Sequence, residues 1–191
     1  MFLRKRLILT CIILLIAIIC PTSCSQEYTT FNKYGFSFQY PQDYSFKEFG
    51  ILEEDGTTVG SQIQVRPDKG FGGLQVNWYN TRVDEYSMVY YKLEDSLQAD
   101  FDYIEQSEPI ATVDRGDVLE GEKDGNRMLY SYYTVTPMEG DKARGIGAVF
   151  HYSEAARFIT MFTTNDASCS DEEILKDFQK YLDSFTFEGT S

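Results

Sequence analysis

The sequence predicts an α+β domain in which an antiparallel β-sheet is flanked by helices. Three observations predict it. Apolar and polar residues alternate with a period of two in stretch after stretch, the mark of half-buried strands. Two longer segments repeat apolar residues at helical intervals behind helix-start signals. The strand-like stretches of the second half are joined by brief turns, so neighbours in sequence run antiparallel. Composition agrees, since 42% hydrophobic and 15% aromatic residues, with 14 Phe and 14 Tyr, supply a core and favour pleated surfaces.

The N-terminal stretch comes first in the argument. Arg4, Lys5 and Arg6 precede an apolar run from Leu7 to Cys20, and Pro21 ends it. As a helix that run would cover about 21 Å, short of a hydrocarbon core of about 30 Å, so export is favoured over a stable span. Pro21-Thr22-Ser23-Cys24 then resembles the end of a lipoprotein signal peptide, in which the cysteine becomes the lipidated first residue of the mature chain. Pro21 stands where that family carries Leu, and bulky Ile19 makes Cys20 a poorer match. An uncleaved anchor and plain secretion are the alternatives. The expected organisation is a signal peptide over 1–23, a short tether over 24–31 and one domain over 32–188. Several acyl chains on Cys24, at about 0.8 kcal/mol per buried methylene, would hold that domain at a membrane without a span. Cys169 is then the one free thiol, no internal disulfide forms, and stability must come from core burial.

Within the domain, "YGFSFQYPQDYSF" puts Phe36, Phe38 and Tyr40 on one face and Ser37 and Gln39 on the other, and Pro41 closes that strand. "SQIQVRP" and "GLQVNWY" alternate likewise, joined by a glycine-rich loop from Asp68 to Gly73. From Thr81 a helix is expected to about Phe101, carrying Tyr86, Val89, Tyr90, Leu93, Leu97 and Phe101 at helical spacing. Five strand-like segments follow: "YIEQSEPIATV", "DVLEGEK", "NRMLYSYYTVTP", "GIGAVFHYSE" and "ARFITMFTTN". Asp124-Gly125 is a type I′ hairpin signal, and Met138 to Asp141 reads as another turn. Ser170 and Glu173 form a capping box that opens a second helix over 171–184, with Ile174, Phe178, Tyr181, Leu182 and Phe185 on its apolar side.

Charge narrows the partners. Three of the 17 basic residues lie in the signal, so 14 remain against 30 acidic ones, a net −16 for the rest of the chain. Such a body is repelled by phosphate backbones and anionic headgroups, so nucleic acid is excluded as a partner. His151, the only histidine, could join Cys169 and Asp166 in a nucleophilic set. The acids after Cys169 disfavour a thiolate, so an ordinary strand histidine and loop thiol are the better reading. Glu120 to Asn126 imitates half a calcium loop, but Ser131 occupies the position of its last acidic ligand, and a hairpin turn explains it better. Glu53-Glu54-Asp55 reads as a solvated turn. The glycine loop lacks the Gly-x-x-x-x-Gly-Lys-Ser/Thr pattern of a phosphate cradle, and no basic residue follows it closely. The tyrosines of "MLYSYYTV" and "YSMVYYKL" are spaced for core packing rather than for a sugar- or peptide-binding surface. No catalytic residue, metal or cofactor is therefore expected.

With "YGFSFQYPQDYSF" early and "DEEILKDFQKYLDSFTF" at the end, the chain resembles the PsbP-like superfamily over roughly residues 30 to 188. The resemblance implies an α/β/α sandwich around an antiparallel sheet and non-enzymatic accessory roles. Its plant members assist photosystem II and a nuclear member binds a small GTPase, and neither role suits an exported chain without photosynthetic features. The expected function is a lipid-anchored, extracytoplasmic docking module for another envelope protein. A small-ligand or metal-binding surface lipoprotein is the alternative. If Cys24 carries the lipid, Cys24→Ser abolishes incorporation of labelled fatty acid while Cys20→Ser leaves it intact. An acyl-free N-terminus in mass spectrometry of membrane-extracted protein would overturn the assignment.

Overall fold

The computed structural model describes residues 26–52, 58–79, 93–106, 110–151 and 158–188. The strands are β1 (Tyr28–Lys33), β2 (Phe36–Pro41), β3 (Ser45–Leu52), β4 (Thr58–Arg66) and β5 (Gly73–Tyr79). After helix α1 (Leu93–Gln106) come β6 (Ile110–Arg115), β7 (Leu119–Lys123), β8 (Asn126–Pro137), β9 (Ala143–His151) and β10 (Phe158–Asp166). Helix α2 (Asp171–Ser184) and the short β11 (Thr186–Phe187) close the chain. One eight-stranded sheet runs β3-β4-β5-β10-β9-β8-β6, with β7 paired to the first part of β8, and every pairing is antiparallel. A second, three-stranded sheet has the order β1-β2-β11.

The period-two pattern sorts the core into two layers. On one face Ile63, Val65, Val76, Ile146, Ala148, Phe150, Ile159 and Met161 meet Ile174, Phe178, Tyr181 and Leu182 of α2 and the aromatics of the small sheet. On the other face Leu129, Tyr133, Val149, Phe158 and Phe162 meet Leu93, Leu97 and Phe101 of α1. Each such side chain contributes about 1.5–3 kcal/mol by burial, which is how the fold stands without a disulfide. The α/β/α layering is present, with the small sheet set beside α2.

Chain ends and turns follow local chemistry. Tyr34-Gly35 (φ 62° and 82°) and Asp124-Gly125 (φ 51° and 80°) both take the left-handed conformations of a two-residue hairpin, the second as the sequence implied. Tyr34, a bulky residue at positive φ, is held there by its ring, which stacks on Trp78 at 4.2 Å, and by its hydroxyl, which donates to Glu48. The capping box of α2 forms, with Glu173 N donating to Ser170 Oγ at 3.3 Å and Ser170 N to Glu173 Oε2 at 2.8 Å. After α2 the chain turns back onto the N-terminal hairpin, where Phe185 stacks on Phe38 at 5.0 Å and Phe187 pairs with Phe36. The early aromatic alternation and the closing Ser-Phe-Thr-Phe are therefore one contact in space.

Three expectations need correction. The tether expected over 24–31 is strand from Tyr28 onward; only Phe31 of β1 is buried, so its sequence shows no alternation, and pairing with β2 recruits it. Helix α1 continues to Gln106 rather than ending near Phe101, because Ile104 extends its inward stripe; Tyr103 to Gln106, expected as strand, are helical. Strand β3 was not legible, since Ser45 to Gly50 are all exposed. The expected first half of α1, from 82 to 92, lies outside the described residues.

Gly147 of β9 is required for the packing of α1. A Cβ there would lie 2.5 Å from Phe162 Cε1 and 2.8 Å from Phe101 Cζ. Gly147→Val is expected to destabilise the domain by about 1–3 kcal/mol through overpacking, read as a lower urea midpoint. An unchanged midpoint would show that α1 is not seated on β9 in this way.

Candidate functional site

Helix α1 covers the strands from β6 to β10 and stops short of β3. The same face of β3, β4 and β5 is therefore not core, and a groove of about 680 Å³ lies along it, lined by Phe49, Ile51, Gln62, Gln64, Asn77 and Tyr79 from the sheet and by Ala99, Asp100 and Tyr103 from α1. Its floor carries the amides of Gln62, Gln64 and Asn77, which Gln75 joins from the neighbouring cleft. Gln64 Nε2 donates to Gln62 Oε1 at 2.9 Å and to Gln75 Oε1 at 3.4 Å, and Gln75 Nε2 donates to Asn77 Oδ1 at 3.3 Å. These side chains sit on adjacent strands in register, with Gln64 opposite Gln75 and Gln62 opposite Asn77.

At the inner corner stands Asp100, only 8% exposed. Tyr79 donates its hydroxyl to Asp100 Oδ1 at 2.9 Å, and its ring is fixed on Phe158 at 4.6 Å. Asp100 Oδ2 and Thr160 Oγ1 are buried without a hydrogen bond of normal geometry. Burial pushes the Asp100 carboxyl up, against the opposing pull of hydrogen bonding from Thr160, Tyr79 and Asn77. Burial and the Asp100 charge together push the Tyr79 phenol well up.

The residues singled out in the sequence do not form a site. The ladder sets His151 opposite Phe158 and Asp166 opposite Ala143, at opposite ends of β10, roughly 26 Å apart at ~3.3 Å per residue. Asp166 instead faces Ser168, whose side chain and backbone N, the latter donating at 2.8 Å, hold its carboxyl below the usual range. Cys169 is half-buried against the α2 core, and its carbonyl accepts from Arg144 at 3.0 Å. Glu120 accepts from Arg127 Nε at 2.8 Å within the β7–β8 hairpin. Among the described residues no group of His, Cys, Asp and Glu is placed to hold a metal ion. The glycine loop joins β4 to β5, with Gly72 N donating to Thr164 O at 2.7 Å, and borders a smaller, mainly apolar cleft of about 390 Å³ over Tyr133 and Phe162. Tyr133 packs in the core as its spacing implied, donating to Thr163 O at 2.8 Å; burial pushes its phenol up to about 12. Cys24 and Glu53-Glu54-Asp55 lie outside the described residues, as does "YSMVYYKL" up to residue 92. No helix of the described residues is long and apolar enough to cross a membrane.

No protein-family model matches the chain, and no curated protein matches it in sequence. Among solved structures, the solution structure of cyanobacterial PsbP from Synechocystis sp. PCC 6803 superposes with a TM-score of 0.58 at 13% identity, covering 88% of this chain and 96% of that one. The fold is PsbP-like. At that identity the likeness is one of backbone, and the groove's side chains belong to this chain's own version of the PsbP-like fold.

Sequence reasoning passed over the groove, although two signals for it were present. The outward positions of "SQIQVRP" and "GLQVNWY" include four uncharged amides, Gln62, Gln64, Gln75 and Asn77, in a chain of net charge −13. Asp100 also falls on the apolar stripe of α1, between Leu97 and Phe101 in the helical repeat. A carboxyl there is out of place for packing alone.

The raised Asp100 carboxyl has a signed consequence. Its proton is bound more tightly in the folded chain than in the unfolded one. Asp100 therefore costs nothing extra below the ordinary carboxylate range, and stability falls as pH rises from there through the folded value. Asp100→Asn keeps an acceptor for Tyr79 and directs an N–H₂ at Thr160. We expect it to stabilise the domain at pH 7 by on the order of 1 kcal/mol, a gain that shrinks toward pH 4 in urea titrations. A gain that persists undiminished at pH 4 would contradict the assignment.

Proposed function

We propose that the chain is a non-enzymatic accessory module, held by lipid on Cys24 at the outer side of a membrane, that docks an envelope protein by strand addition to β3. The observation that carries this reading is the edge itself. Strand β3 ends the eight-stranded sheet and pairs only with β4 among the described residues. Its residues from Ser45 to Gly50 are exposed, including Phe46 at 38% and Phe49 at 47%. Natural edges are usually short or guarded, and this one, at eight residues, carries only Lys47 and Glu48 as guards. An extended segment paired with it would gain main-chain hydrogen bonds and contact Phe49. Strand β1 begins four residues after Cys24, so lipid there would keep the domain close to the membrane. A second reading, binding of a small ligand, is favoured by the groove beside this edge.

A photo-reactive residue in place of Lys47, in the full-length chain in its host, is expected to give one discrete cross-linked species. Phe49→Arg should reduce it about tenfold, in line with loss of an aromatic anchor. The same probe at Lys176 on α2 should give none. Equal cross-linking from both positions, or indifference to Phe49→Arg, would sink the docking reading.

A further inference from the structure

We infer that the groove between α1 and β3–β5 binds a neutral oligosaccharide. This deepens the small-ligand reading of the groove and does not depend on strand addition to β3.

The floor chemistry selects the class. A carboxamide offers a donor and an acceptor side by side, and so does a pair of neighbouring sugar hydroxyls. The floor amides of Gln62, Gln64 and Asn77, joined through Gln75, use only part of their capacity internally, and their mutual bonds fix the direction in which each amide faces. Asp100 is the one charged residue in the groove's lining, and the chain's net charge of −13 disfavours an anionic guest. The walls are aromatic. Phe49 and Tyr103, 47% and 64% exposed, present rings from β3 and α1, a surface suited to the C–H faces of a pyranose. The volume, about 680 Å³, is that of an ordinary ligand pocket.

Asp100 is the second, independent observation. It lines the groove, is only 8% exposed, and leaves Oδ2 without a hydrogen bond. Buried polar atoms without partners are rare. Tyr79 donates to Asp100 Oδ1, and Thr160 and Asn77 stand around the carboxyl, so this corner is a polar wall that closes the inner end of the groove.

The test follows the side-chain NH₂ signals of Gln62, Gln64 and Asn77 by NMR. The full mature chain is held in a phosphocholine detergent, so that no glycoside detergent competes. Cellotetraose, maltotetraose and N-acetylchitotetraose are titrated, with tetragalacturonate as the anionic comparison. At least one neutral tetrasaccharide should move these signals and the anionic one should not. Gln64→Ala and Tyr103→Ala should each weaken binding about 3- to 10-fold, the effect of losing one contact of hydrogen-bond strength. Tyr103 is exposed, so its variant tests the idea even if Gln64→Ala fails to fold. Leu175→Ala on α2 should change nothing. The inference is overturned if no neutral tetrasaccharide at about 10 mM, the weak limit of specific binding, moves the amides. It is also overturned if only an extended peptide binds and shifts the β3 backbone while leaving the side-chain amides still. That last result would uphold docking and remove the glycan.

Discussion

The seating of α1 on β9 and β10 decides what the rest of the sheet must be. Phe101 lies over Gly147 and against Phe162, at a ring separation of 5.4 Å and nearly perpendicular to it. Arg115 from β6 reaches across the helix to Asp102 at 3.3 Å and covers the Phe101 ring. With its inward stripe committed there, α1 can bury only one half of that face. The central strands become apolar on both sides, and β3 to β5 keep one apolar face and one polar one. The groove is the step between the two halves.

The opposite face is built differently. Helix α2 and the small sheet together cover it across its width, from Ile63 on β4 to Met128 on β8. The stacked rings of Phe36, Phe38 and Phe185 tie the first hairpin of the domain to its last residues. Ser37 and Thr186 hydroxyls meet at 2.6 Å, and Gln39 N donates to Ser184 Oγ at 3.1 Å beside them. Closing the chain on itself in this way buries large aromatic area through long-range contacts. It compensates for the absence of any cross-link within the domain. It also leaves the other face free to vary without loosening the fold.

Binding and stability meet at Asp100. A carboxyl buried on an otherwise apolar helix stripe raises the cost of the folded state, yet Tyr79, Asn77 and Thr160 are gathered around it. Removing so polar a corner from solvent without completing its hydrogen bonds is expensive, and such arrangements concentrate where a protein meets a ligand. Nucleophilic chemistry has no comparable assembly among the residues first singled out, because the register holds His151, on β9, and Asp166, on β10, at opposite ends of the strand pair.

Much of the architecture was legible in the sequence because it rests on local periodicity. Strands β2, β4, β5 and β8, the Asp124-Gly125 turn and the whole of α2 with its Ser170 cap follow from alternation, turn chemistry and capping, which operate over a few residues. Strands β1 and β3 escaped because each borrows its conformation from a partner: one buried Phe31, or an exposed row beside β4, leaves no pattern to read. The end of α1 escaped because tertiary packing of Ile104 overrode the strand preference of Tyr103-Ile104. The groove lies further still from local pattern. Gln62, Asn77, Asp100 and Tyr103 are ordinary polar positions along the chain. Only the lateral reach of α1 over the sheet makes them neighbours, since which strands a helix covers is set by long-range packing that no short stretch encodes.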